Sequence, residues 1–191
     1  MPRGGISVAC EVAAPVGEPV NALVVRKLGA PLNRELALGA IAYGGVTVYN
    51  EELLEQLDMD ESQLTSVREH EQKELGRRES VYRGGRPPPA IGGETVVIVD
   101  DGMATGATMR AAAVVTRALS PATIIVAVPR AAADAVERIE RVADQALALA
   151  TPEPYLGVGA WCAQLPHLTD DEVVAALAAA APPQRSGAGG A

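Results

Sequence analysis

The chain has 191 residues with no phenylalanine, one tryptophan, four tyrosines, two cysteines and two histidines. So few aromatic rings exclude the stacking platforms on which single-stranded nucleic acids are held. Cys10 and Cys162 are too few for a disulfide framework or a cysteine-based zinc site. Neither has a basic neighbour in sequence to activate it, so both read as small hydrophobes. No apolar run approaches the roughly 20 residues of a spanning helix, and no leader-like segment opens the sequence. Basic residues are the minority, 16 against 24 acidic, leaving a net charge of −8. A surface of that sign repels nucleic-acid phosphates and anionic lipid, so neither nucleic acid nor membrane is expected as a partner. Any anionic ligand needs a local site. The expected setting is the cytoplasm, with reduced thiols.

What the chain does have is a core: 48% of it is apolar, and 35 residues are alanine. Its length suits one domain, predicted over residues 1–181, followed by a low-complexity, disordered tail at 182–191 (PPQRSGAGGA). Residues 22–26 (ALVVR), 95–99 (TVVIV) and 123–128 (TIIVAV) are short, β-branched and without alternation, as in buried parallel strands. Residues 145–150 (QALALA) form a weaker fourth. Helical stretches at 108–119 and 131–142 follow the second and third strands. That alternation predicts an α/β fold with a doubly wound, mostly parallel sheet.

Residues 50–83 differ in character. Asn50 is placed to cap a helix from Glu51, and Asp60 with Gln63 resembles a capping box opening a second helix through about Tyr82. Ten acidic and five basic residues in this stretch carry five of the eight net negative charges. It reads as a solvated two-helix insertion resting on the sheet domain through Leu53, Leu57, Leu64, Val67 and Leu75. His70 within it and His167 beyond read as surface residues, and Tyr82 and Arg83 as structural. Thr169 with Glu172 forms another capping box, for a last helix.

The strongest signal is residues 96–108, VVIVDDGMATGAT. A buried strand runs into two acids, then a glycine-rich loop with two threonines, then a helix. Ligands of open α/β sheets bind at the carboxyl ends of the strands. Residues 102–106 would offer backbone N–H groups and a helix's positive end to a phosphate, with hydroxyls from Thr105 and Thr108. Asp100 and Asp101 cannot face that phosphate themselves; carboxylates beside such a cradle suit sugar hydroxyls or an indirectly held divalent cation. A ligand with a 5′-phosphate and a ribose diol fits. The segment lacks the Gly-Lys-Ser/Thr of a nucleotide P-loop and the G-x-G-x-x-G order of a dinucleotide site.

This segment resembles the phosphoribosyl pyrophosphate (PRPP) signature of type I phosphoribosyltransferases. Residues 2–5 (PRGG) resemble the family's short pyrophosphate-holding loop. Arg26 and Lys27, followed by Leu28-Gly29, resemble its basic pair, which opens a flexible loop expected at 31–45. More narrowly, PRGG, VVRKLGAP, GAIAYGG, RRESVYRGGRP, VDDGMATGATMRAA and TPEPYLGVGAW, in that order, are similar to a bacterial phosphoribosyltransferase group whose acceptor is generally unassigned.

The resemblance implies transfer of phosphoribosyl from PRPP to a small nitrogenous acceptor, purine- or pyrimidine-like, with release of pyrophosphate. The implied catalytic residues are Arg3, Arg26, Lys27, Asp100 and Asp101. Pro2, Gly4 and Gly5 would meet the pyrophosphate end of PRPP, and Gly102, Met103, Ala104, Thr105, Gly106, Ala107 and Thr108 its 5′-phosphate end. Tyr155 and Trp161, in a small C-terminal hood at 151–168, would contact the acceptor. Mg²⁺ would ride on the pyrophosphate and the diol, with Asp100 or Asp101 reached through water, and members of the family are often homodimers. The alternatives are a non-catalytic PRPP-binding regulator and an inactive fragment. The latter arises because relatives carry a buried strand ahead of PRGG, between the strands at 22–26 and 95–99. The expectation is an N-terminally truncated chain, or a start assigned too far downstream, leaving those two strands to pair directly or lose backbone partners at about 1–3 kcal/mol per buried group.

Overall fold

The computed structural model describes residues 1–2, 4–30, 33–42, 45–84, 86, 89–155 and 168–180. Arg3, most of the expected hood (156–167, with Trp161, Cys162 and His167) and the 182–191 tail lie outside the described residues.

The chain has an α/β fold with two three-stranded sheets among the described residues, one parallel and one antiparallel. Strands β4 (Thr95–Val99), β5 (Thr123–Arg130) and β6 (Gln145–Ala150) are parallel and adjacent in that order. Helices α4 (Ala107–Arg117) and α5 (Ala133–Ile139) are their crossovers. Two successive right-handed crossovers in one direction leave both helices on the same face. Met109, Ala112, Ala113 and Ala135 are buried there against Ile98, Ile124, Val126 and Val128, the small alanines letting α4 approach closely. The other face is more open: Val97 is 46%, Leu147 54% and Leu149 89% exposed. That corrects the expectation of strands buried throughout. The unbroken apolar runs hide an alternation that only the one-sided helix packing reveals.

The segment at 22–26 is corrected more deeply. The strand is β1 (Val25–Ala30), and it pairs antiparallel with β2 (Asn33–Ala42), which pairs antiparallel with β3 (Thr47–Tyr49). Only residues 31 and 32 separate β1 from β2, too few for the crossover that a parallel pair requires. The expected flexible loop at 31–45 is thus largely strand. Leu38, Ala40 and Ala42, two apart, are all buried. Among the described residues β1 and β4 share no ladder, so the direct pairing considered from sequence does not occur.

Residues 4 and 5, expected in a loop, open helix α1 (Gly4–Ala13). Asn50 caps α2 (Glu51–Gln56), its Oδ1 accepting from Leu53 N. Asp60 and Gln63 form a capping box on a 3₁₀ turn, Glu61–Leu64, which runs straight into α3 (Thr65–Arg83). Leu64 and Leu75 are buried as expected, whereas Leu57 is 42% exposed and Leu54 takes its place inward. The reason is that α2 ends before Leu57, which caps it. Helix α6 (Asp170–Ala179) starts from the Thr169–Glu172 capping box. A second core joins α1, β1, α3 and α6 through Ile6, Leu28, Leu75, Tyr82, Val173 and Leu177. In it the buried Tyr82 hydroxyl donates to Asp170 Oδ1 at 2.7 Å.

Candidate active site

Strand β4 ends at Val99, and the next seven residues form a loop pinned to its neighbour. Met103 N donates to Arg130 O (3.0 Å) and Ala132 N to Met103 O (2.9 Å), with the Met103 side chain only 4% exposed. Gly106 closes the loop with φ +74°, a left-handed conformation that glycine adopts without strain. Arg138 of α5 donates from Nη1 to Thr105 O (3.2 Å) and from Nη2 to Asp134 (2.6 Å). The Met103 and Thr105 carbonyls are thus occupied, while Ala104, Thr105, Ala107 and Thr108 are exposed. Among the described residues, the N–H groups of Ala104, Thr105, Gly106 and Thr108 find no protein acceptor, while Ala107 N reaches Thr105 Oγ1 (3.4 Å). Amides without protein acceptors at a helix N-terminus are chemically suited to an anion. Met103 can take part only through its backbone, because its side chain is in the core.

The first turn of α1 lies against the two acids that open this loop. A β-carbon on Gly4 would overlap Asp101 Oδ2, and one on Gly5 would crowd Asp100 and the Val99 carbonyl. The glycines are therefore what allows residues 4–5 and 100–101 to meet. The Met1 amino group also reaches here, donating to Val99 O and standing 4.0 Å from Asp100 Oδ1. Burial pushes the Asp100 carboxyl up to about 6; the Met1 amino group opposes the shift and Asp101 adds to it.

Arg26 and Lys27 are in β1, and they border a cavity of about 570 Å³ whose far side includes Thr108. The structure so brings the basic pair and Thr108 to one cavity, and packs Gly4 and Gly5 against Asp101 and Asp100 at the end of β4. Asp100 and Asp101 do not line the cavity. Tyr155, beyond β6, is partly buried and does not line it either. Sequence reasoning misses the cavity's third wall, Ser66, Val67, His70 and Glu71 of α3. In sequence His70 reads as a plain surface residue. The usable signal is the helical spacing of 67, 70 and 71, which puts them on one face. Cys10 is a bystander: it packs in the second core, and burial and Glu11 raise its thiol pKa.

A parallel strand ending in paired acids and followed by a pinned loop and a helix N-terminus is chemically suited to a phosphorylated ligand. Residues 2–149 match the phosphoribosyl transferase domain family. Two Mycobacterium tuberculosis proteins, named "Putative phosphoribosyl transferase Rv0571c" (strain H37Rv) and "Putative phosphoribosyl transferase MT0597" (strain CDC 1551), are each 42% identical over 177 residues. The aligned part is 93% of this chain and 40% of each relative. The chain thus spans about two fifths of the length of these curated relatives. The crystal structure of TT1426 from Thermus thermophilus superposes with a TM-score of 0.85 at 41% identity, over 94% of this chain and 85% of that one. The chain belongs to the phosphoribosyl transferase domain family. No helix among the described residues is long and apolar enough to cross a membrane.

Proposed function

We propose that the chain transfers the 5-phosphoribosyl group of PRPP to a small nitrogenous acceptor and releases pyrophosphate. The observation that carries this reading is the set of amides at Ala104, Thr105, Gly106 and Thr108 without protein acceptors among the described residues, just after Asp100 and Asp101, with Thr108 bordering the cavity that Arg26 and Lys27 line. In this reading the loop amides and the Thr108 hydroxyl hold the 5′-phosphate, and the two carboxylates accept from the ribose hydroxyls. Arg26 and Lys27, with Arg3 and the Gly4–Gly5 turn, meet the pyrophosphate. The bond from C1 to the pyrophosphate oxygen breaks with its electrons leaving on that oxygen, a nitrogen of the acceptor bonds to C1, and the acceptor's proton is lost. Positive charge develops on the sugar and negative charge on the leaving group, so cations aimed at the pyrophosphate supply most of the stabilisation. One well-placed donor is worth on the order of 3 kcal/mol.

The donor chemistry fits a magnesium ion carried by the substrate. Asp100 and Asp101 offer hard carboxylate oxygens side by side, while no group of three or more metal-ligating side chains exists among the described residues. Magnesium would neutralise charge on the leaving pyrophosphate. Tyr155 and Trp161 are the proposed acceptor contacts.

The test is a thermal melt with and without PRPP and Mg²⁺, followed by a pyrophosphate-release assay over purine and pyrimidine acceptors. A ligand at 100 times its dissociation constant adds about 2.7 kcal/mol, a rise of several degrees. A rise that disappears in Asp101→Asn, together with turnover, is the expected result. Binding without turnover would favour a PRPP-binding regulator, and no rise at all would count against the PRPP site.

A further inference from the structure

The wall that α3 gives to the cavity carries a charge that the family motifs do not include. Arg26 donates from Nε to Glu71 Oε2 at 2.7 Å, and its Nη2 stands 2.6 Å from the same oxygen. The two side chains are only 27% and 16% exposed, so solvent screens this pair less than a surface ion pair. Both also border the cavity that Thr108 closes. One turn on, Glu74 is occupied by Arg77 and Arg78 and lies outside that lining. Glu71 is therefore the carboxylate that an anion entering beside Arg26 and Lys27 would meet.

We propose that Glu71 is a positioning residue that competes with pyrophosphate for Arg26. It holds the guanidinium against α3 until the anion arrives, then shares it or gives it up. The inference rests on the reading of Arg26 as a pyrophosphate contact, and it gives the insertion a part in the site. A carboxylate fixed near a bound polyanion repels it, and the neutralised guanidinium attracts it less. Glu71 thereby weakens the hold on pyrophosphate and eases release of that product.

The sign of this effect separates it from a structural brace. Glu71→Gln keeps an acceptor oxygen for Arg26 and the shape of the side chain, and removes only the charge. Titration calorimetry of the full chain with inorganic pyrophosphate and Mg²⁺ should show Glu71→Gln binding roughly three- to tenfold more tightly at low salt. The gain should shrink as salt is raised. Glu74→Gln should match the wild type. Equal or weaker binding by Glu71→Gln, with the wild type binding normally, overturns the inference alone. Failure of both wild type and Glu71→Gln to bind pyrophosphate overturns the pyrophosphate reading of Arg26, and the inference with it.

Discussion

Gly5 stands so close to Asp100 that a β-carbon on it would lie 2.5 Å from Oδ1, 2.8 Å from the Asp100 Cα and 3.0 Å from the Val99 carbonyl. Two of those three atoms are backbone, which cannot swing aside as a side chain does. Gly5→Ala should therefore destabilise the protein by about 1–3 kcal/mol despite the better helix propensity of alanine. Gly76 in α3 is the control: nothing lies within 4 Å of its would-be β-carbon, so Gly76→Ala should stabilise by roughly 0.5–1 kcal/mol. Urea denaturation of both variants measures the contrast. A neutral Gly5→Ala would mean that α1 does not seat on the end of β4.

Asp100 gives stability a pH dependence opposite to that of a salt-bridged acid. Its folded pKa is pushed up to about 6 by burial, above the ordinary carboxylate value. Between roughly pH 4 and pH 6 the folded state then binds more protons than the unfolded one, so this group makes stability fall as pH rises. The full loss, on the order of 2–3 kcal/mol, is reached above pH 6. Denaturation from pH 4 to 7.5 should show this downward slope in the wild type and a flatter profile in Asp100→Asn. Identical slopes would remove the buried-carboxylate assignment.

Among the described residues, Arg138 donates to the carbonyl of Thr105 and to the side chain of Asp134. Its head is half exposed, so Arg138→Ala should cost under about 1 kcal/mol of stability. If the guanidinium keeps the loop carbonyl turned inward, the same change should weaken PRPP binding several-fold. Calorimetry beside a thermal melt separates the two effects; unchanged affinity would leave Arg138 as an ordinary surface brace.

Tyr82 and Asp170 tie helix α3 to helix α6. Tyr82→Phe preserves the packing and removes the hydroxyl, with an expected cost of about 1–2 kcal/mol and no change in PRPP affinity. A large affinity change instead would show that the α3–α6 contact sets the position of the cavity wall.

The parts of the fold most legible in sequence are those decided locally. Residues 95–99 and 145–150 have the same bounds as β4 and β6, because β-branched or leucine-rich runs between turn residues leave few alternatives. The capping boxes at Asp60 and Thr169 are readable because both partners lie three residues apart. Helix α1 is not legible: it begins on two glycines, whose helix propensity is low, and is held by its packing on β4 and α6. Strand β2 escapes a sequence reading because the family resemblance assigns 31–45 to a loop and its buried residues, Leu38, Ala40, Ile41 and Ala42, do not alternate. The pairing of Arg26 with Glu71, 45 residues apart, has no local signal at all.

The two backbone hydrogen bonds that stitch Met103 to the end of β5 have an energetic meaning beyond shape. Ordering a free loop residue costs roughly 1–2 kcal/mol, and a mobile phosphate loop would subtract that from every binding event. Here the ordering is completed during folding, so under the proposed function the loop would meet a phosphate as a template already set. Affinity at that end would then be coupled to the integrity of the β4–β5 ladder: loosening the ladder should weaken phosphate binding even with every ligand-facing atom unchanged.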